Sequence, residues 1–202
     1  MNKFLYLAKV FYFEIIGRPD YWHPNLVQRN VNDLNYNSNY YLDFSSKSDY
    51  RFKLIDELPI ISVEDEDIHF SITILNYGIG LIDAHSIDFD KKNEITHVLN
   101  WVLENQNADG SWRNNYPVPT YNLESGWTSA MGQGLAISFL FRCYHLGLID
   151  RELTLDRINN ALSFIYSEEL FAEFQGTRIL QEFSNTQESV LNGYVFCIYG
   201  LH

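Results

Sequence analysis

Apolar residues recur every three to four positions along most of this 202-residue chain. That period predicts helices at about 69–85, 91–106, 127–147, 151–169 and 187–201. An earlier amphipathic helix is predicted over 4–16 (FLYLAKVFYFEII), stopping near Gly17-Arg18-Pro19. Lys9 and Glu14 interrupt its apolar run, which is too short to span a bilayer. No small-residue cleavage site of a signal peptide follows it. Residues 32–52 are rich in Tyr, Asn and Ser and predict irregular chain with short strands. The acidic run Glu64-Asp65-Glu66-Asp67 predicts a solvated loop leading into a helix.

Three of the predicted helices carry an amide next to a glycine inside an otherwise apolar run: Asn76-Tyr77-Gly78, Gln133-Gly134 and Asn192-Gly193. The amides stand 57 and 59 residues apart, counting from 76 to 133 and from 133 to 192. Between them lie the more charged helices 91–106 and 151–169. Apolar and charged helices alternating at a steady spacing predict an α/α toroid, with the apolar helices inside. Chance adjacency of two common residues is the competing explanation. The fold class is therefore mainly α, with a small irregular or β segment near residues 32–62. The division is 1–62 for the N-terminal helix and Tyr-rich segment, and 63–202 for the toroid-type domain.

The loop Gln106-Asn107-Ala108-Asp109-Gly110-Ser111-Trp112 contains an Asp-Gly turn signal and a Trp placed to close over it. Its Q-x-x-D-G-S-W pattern resembles a loop of triterpene cyclases, which are also α/α toroids. The D-x-D-D cluster of those enzymes is not matched by residues 64–67, so the loop is read as a structural staple.

Net charge is −12, which argues against a nucleic-acid partner, since phosphate binding needs a basic surface. A polyanionic glycan would need a local basic patch, for which Arg29, Lys47, Arg51, Lys53, Arg113, Arg142 and Arg178 are the candidates. Aromatics make up 16% of the chain; their flat faces and polar edges suit sugars as well as cores. Cys143 and Cys197 lie in apolar helices and are expected to be buried thiols, with no disulfide framework. The histidines His23, His69, His85, His97 and His145 show no ligand spacing, so no metal site is expected. There is no G-x-S-x-G, phosphate loop or dinucleotide fingerprint, and no cofactor is expected.

The segment Glu124–Gly134 places small and polar residues at the start of a strongly apolar helix. Free N–H groups at such a helix end favour an anion, and a carboxylate would serve; tight helix packing needs the same small residues. Here the chain resembles the D-glucuronyl C5-epimerase family, in its C-terminal helical region. The residues that carry the resemblance are Gly126, Trp127, Ser129, Ala130, Met131, Gln133, Gly134, Ile137, Ser138, Arg142 and Tyr144. Further matches are Gln181-Glu182-Phe183, Val190-Leu191-Asn192-Gly193 and Gly200-Leu201. Upstream, Tyr40–Tyr50 and Ser71–Gly78 are also similar to family segments.

The resemblance implies a cofactor-free enzyme acting on a uronic-acid-containing polysaccharide of the heparosan type. A proton leaves C5, alpha to the carboxylate, and returns on the opposite face. Such a site needs donors at the carboxylate and an acid/base group on each side of the ring. The resemblance makes Glu182 the catalytic candidate and Asn192, Gln133, Trp127, Tyr77 and Arg142 substrate-binding candidates. Phe183 stands where the family has a catalytic Tyr, and a phenyl ring cannot exchange a proton. A non-catalytic glycan-binding remnant or partner subunit is the alternative. Family members continue beyond Gly200-Leu201, so a truncated member with an incomplete toroid is expected. A homodimer covering exposed apolar faces and a cytoplasmic location complete the expectations.

Overall fold

In the computed structural model, the structure describes residues 25–26, 42–49, 54–63, 66–85, 91–184 and 191–201. The predicted helix 4–16 and most of the Tyr-rich segment lie outside these residues. Five α-helices are present among the described residues: α1 (Ser71–His85), α2 (Lys92–Glu104), α3 (Ala130–His145), α4 (Arg151–Ile165) and α5 (Leu191–Leu201). Short strands pair as antiparallel ribbons: β1 (Asn25–Leu26) with β2 (Leu42–Asp43), β3 (Leu54–Ile55) with β4 (Leu58–Pro59), and β5 (Ile61–Val63) with β6 (Glu66–Ile68). Two more ribbons join β7 (Arg113–Asn114) to β8 (Trp127–Thr128) and β9 (Phe171–Phe174) to β10 (Thr177–Leu180). Two-stranded ribbons are marginal on their own, so the core must come from the helices. The protein is mainly helical with small sheets.

Helix α3 lies between α1 and α5; α2 packs on α1, and α4 packs on α3. The chemistry of each helix explains its place. α1 and α3 are apolar nearly all round and are buried along most of their length, through residues such as Ile74, Leu75, Ile79, Leu81, Leu135, Phe139 and Leu140. A helix apolar on every side must be enclosed. α2 buries only the stripe Ile95, Val98, Leu99 and Val102, and α4 only Thr154, Ile158, Ala161, Phe164 and Ile165. Their charged faces meet water, so the predicted alternation is present in the structure. Both cysteines are buried free thiols.

Gly134 of α3 serves close packing. A Cβ on Gly134 would lie 2.6 Å from Cys197 Cα, and one on Gly200 would lie 1.9 Å from the Gly134 carbonyl oxygen. Helices α3 and α5 therefore cross backbone to backbone. The outer face of α5 leaves Tyr194, Val195, Ile198, Tyr199 and Leu201 exposed. Among the described residues no helix is long and apolar enough to cross a membrane.

Three differences from the sequence reading stand out. Glu66 and Asp67 belong to strand β6 and not to a loop, because Ser62 and Asp67 face each other across the β5–β6 ribbon, and the Ser62 hydroxyl donates to the Asp67 carboxylate at 2.8 Å. The helix predicted to reach 169 stops at Ile165, and the chain turns into β9. The β9–β10 hairpin was not predicted. Its turn is Gln175-Gly176, both with positive φ (50° and 76°), and a residue-glycine pair between apolar runs was the available signal.

The loop after α2 behaves as the staple that its sequence suggests. Asp109 accepts hydrogen bonds from the Ser111 N–H (2.9 Å) and hydroxyl (2.6 Å), which closes the turn. Gln106 donates to the Gly110 and Arg157 carbonyls, tying the loop to α4. Trp112 is fully buried, and its indole N–H donates to the Val102 carbonyl of α2 at 2.8 Å. Trp112→Phe removes that donor and some buried volume. Thermal unfolding should report a loss of about 1–2 kcal/mol, and an unchanged Tm would show that the indole bond contributes nothing.

Candidate functional site

The site is built at the N-terminal end of α3. Ser129 has extended backbone and caps the helix, its hydroxyl accepting from the Gly132 N–H at 3.0 Å. Serine is a favoured N-cap because its short side chain satisfies an otherwise unpaired N–H. The chain returns at 182–184 and runs antiparallel to 128–130. The Ala130 N–H donates to the Glu182 carbonyl (2.7 Å), and the Ser184 N–H to that of Thr128 (3.1 Å). Extended chain points successive side chains to opposite faces, so Glu182 and Phe183 diverge.

Glu182 turns toward the helix end. One carboxylate oxygen accepts from the Ser129 hydroxyl at 2.5 Å, the other from the Met131 N–H at 3.2 Å. Helix α5 closes the opposite side: a Cβ on Gly193 would lie 1.5 Å from the Glu182 oxygen, so any larger residue there would displace the carboxyl. Glu182 is 3% exposed. Burial pushes its carboxyl up to about 7, against the lowering effect of the Ser129 and Met131 hydrogen bonds. Its charge also adds to the burial that pushes the Cys197 thiol, one turn further along α5, up to about 12. A carboxyl titrating near neutrality can both take and give a proton.

Phe183 enters an aromatic cluster. Its ring lies 5.4 Å from Trp127, edge to face, and 5.2 Å from Tyr121. Trp127 contacts Tyr116 (5.8 Å) and Phe70 (6.1 Å), and its indole N–H donates to the Tyr116 carbonyl at 2.9 Å. Burial raises the Tyr116 phenol above its ordinary value. Tyr121, on a tight turn over 119–122, is exposed.

On β7, Asn114 accepts from the Ser71 hydroxyl (3.0 Å) and N–H (3.4 Å) at the start of α1. A Cβ on Gly132 would sit 3.3 Å from the same Ser71 hydroxyl. The N-terminal ends of α1, α3 and α5 therefore meet in one polar patch made of Ser71, Asn114, Ser129, Glu182 and Ser184. All five side chains are buried.

Of the residues singled out from sequence, Glu182 and Trp127 sit at this end, on opposite faces of the returning strand. Asn192 is the second residue of α5, immediately before the Gly193 that abuts Glu182. Gln133 is fully buried one turn into α3, where its amide accepts from the Trp112 N–H (3.4 Å) and donates to the Trp112 carbonyl (3.2 Å). It holds the staple loop. Tyr77 is buried on α1; burial raises its pKa, and the charges of Glu94 and Glu57 add to the rise while Lys91 opposes it. Arg142 lies eleven residues beyond Met131, roughly 16 Å along the helix axis at 1.5 Å per residue. It is buried, and its guanidinium pairs with Asp83. Burial raises the Asp83 carboxyl, with the Arg142 charge opposing the rise. Arg142 is thus placed away from the Glu182 patch.

The other described basic candidates also have partners of their own. Arg113 pairs with Asp109 (2.6 Å) and Glu169 (3.4 Å), Arg178 lies 4.1 Å over the Phe171 ring, and Lys47 is buried. The anion-favouring N–H groups of α3 are filled by Ser129 and Glu182, which is the correction to reading that helix end as an open carboxylate site. Ser129 stood in the matched segment, but the helix was predicted from 127, inside which it is not a cap; the structure makes it the N-cap. Ser71 opens a segment similar to the family but was given no role; Asn114 and Ser184 were missed, and nothing in their local sequence marks them. Among the described residues no three His, Cys, Asp or Glu side chains are grouped to hold a metal.

Comparison with known proteins places this end of the molecule in context. A D-glucuronyl C5-epimerase of Caenorhabditis elegans is 32% identical over 116 residues, covering 50% of this chain and 18% of that protein. The chain thus spans less than a fifth of that relative's length. No solved structure matches. Residues 106–202 match the family model described as D-glucuronyl C5-epimerase C-terminus, a span that holds the staple loop, Ser129, Glu182 and α5. Through this C-terminal region the chain is similar to the D-glucuronyl C5-epimerase family.

Proposed function

We propose that this chain is part of an enzyme that inverts C5 of glucuronate residues in a heparosan-type polysaccharide. The observation that carries the reading is Glu182, a buried carboxyl titrating near 7 where three helix ends meet. Removal of a proton alpha to a carboxylate needs an acid/base group whose pKa lies near the working pH. Glu182 has that property because its surroundings are dry, and the chemistry itself requires no cofactor. The exposed Tyr121 and the neighbouring Trp127 cluster offer apolar faces for a sugar ring. On this reading Asn192 and Trp127 contact substrate, whereas Gln133, Tyr77 and Arg142 support the helices and loop around it. The row α1–α3–α5, flanked by α2 and α4, forms an arc of an α/α toroid.

The test is hydrogen exchange. The protein is incubated in heavy water with an unsulfated glucuronate-containing polysaccharide, and deuterium at C5 is read by NMR. Deuterium at C5 is the expected result; no incorporation at high protein concentration refutes an active enzyme.

A second reading has its own observation. Phe183 lies packed between Tyr121 and Trp127 and carries no exchangeable proton. This favours a glycan-binding protein without catalysis. Binding of uronate oligosaccharides with no exchange at C5 would select it.

A further inference from the structure

A helix leaves the N–H groups of its first turn without backbone partners, and these must be satisfied by other groups. At α3 they are matched. The Ala130 N–H donates to the Glu182 carbonyl, Met131 to the Glu182 carboxylate, Gly132 to the Ser129 hydroxyl and Gln133 to the Ser129 carbonyl. At α1 the matching is incomplete. Ser71 donates to Asn114 and Ile74 to the Phe70 carbonyl, while the N–H groups of Ile72 and Thr73 find no acceptor among the described residues.

Asn114 stands at the same helix end. It is 1% exposed, its carbonyl oxygen is held by Ser71, and its side-chain NH2 has no partner among the described residues. A buried donor left unpaired is costly, so such a group calls for an acceptor. Three neutral donors therefore gather where the helix dipole is positive. Ile72 and Met131 beside them are part-exposed. Ser71 leads on through Gly132 and Ser129 to the Glu182 carboxyl.

We propose that the first turn of α1 and the Asn114 side-chain amide bind a carboxylate, that of the uronate sugar, beside Glu182. The identity of the sugar rests on the epimerase reading above. Neutral donors on a helix end suit a single negative charge, and the nearby Glu182 disfavours a doubly charged phosphate. Donors on this carboxylate are also what an enediolate formed at C5 would need.

The probe is a glucuronate-containing oligosaccharide, with its carboxyl-reduced counterpart as control. In the wild-type protein, the Asn114 side-chain NH2 signals in a nitrogen-proton NMR spectrum should shift with the uronate and stay in place with the reduced sugar. Asn114→Asp keeps the acceptor for Ser71 and replaces the donor by an oxygen. It should weaken uronate binding about 10- to 100-fold while leaving the reduced sugar unaffected. A folded Asn114→Asp protein of unchanged affinity overturns the proposal, as do Asn114 signals unmoved at saturating uronate. Uronate binding with unmoved Asn114 signals removes this proposal alone. Absence of any uronate binding by the wild-type protein removes the epimerase reading with it.

Discussion

Glu182→Gln is expected to flatten the pH dependence of stability and to lower C5 exchange by roughly 10²- to 10⁴-fold, the usual contribution of a general acid or base. The stability part follows from linkage. The carboxyl titrates at about 7 in the folded chain against 4.5 when unperturbed. Between those values the folded state holds a proton that the unfolded state has released. The contribution is fully present below pH 4.5 and is lost as pH rises through about 7. The shift corresponds to about 3 kcal/mol over that window. Wild-type Tm should therefore fall from pH 5 to pH 8, and glutamine, which never charges, should remove the Glu182 share of that slope. Asp83 is raised in the same direction by burial and keeps its own contribution in the variant. A variant that melts with the wild-type slope would show that Glu182 is not buried as described. A variant with the slope removed and exchange intact would leave Glu182 buried but outside the chemistry.

Gly134→Ala is expected to destabilise the protein by about 3 kcal/mol, near the upper end of the usual overpacking cost, and to lower Tm by about 6–12 °C. The sign is the informative part. In an exposed helix, alanine is favoured over glycine by about 1 kcal/mol. Here the added Cβ meets Cys197 Cα at 2.6 Å and its carbonyl oxygen at 2.7 Å. Both atoms are backbone and cannot rotate away, so α3 and α5 must separate. Gly132→Ala, two residues earlier, meets nothing nearer than 3.3 Å and should be nearly neutral for stability. Parting the helices also draws Gly193 off Glu182, so Gly134→Ala should weaken the pH slope as well. Equal Tm values for the two alanine variants would remove the close α3–α5 crossing.

Much of the fold was legible because it depends on local pattern. The periodic runs became α1 to α5, with ends displaced by a few residues where capping decided them. Ser129 and Asp150 act as N-caps, each accepting from an N–H three residues on. The loop 106–112 closed as its Asp-Gly pair suggested. The β9–β10 hairpin escaped because its strands are only four residues each and its turn uses Gln-Gly. Glu182 was found by resemblance; Asn114 was not found, because its role is set by Ser71, 43 residues away.

What the sequence determined by itself is where helices form and which of them must be enclosed. Those properties follow from side chains only a turn apart, and an all-apolar helix has no alternative to burial. The proton affinity of Glu182 was decided by tertiary structure alone. That value depends on the removal of water by Gly193 and on hydrogen bonds from Ser129 and Met131, groups far apart in the chain. The same carboxyl in an extended chain would be solvated and charged at neutral pH, since desolvation is a property of the surroundings and not of the residue.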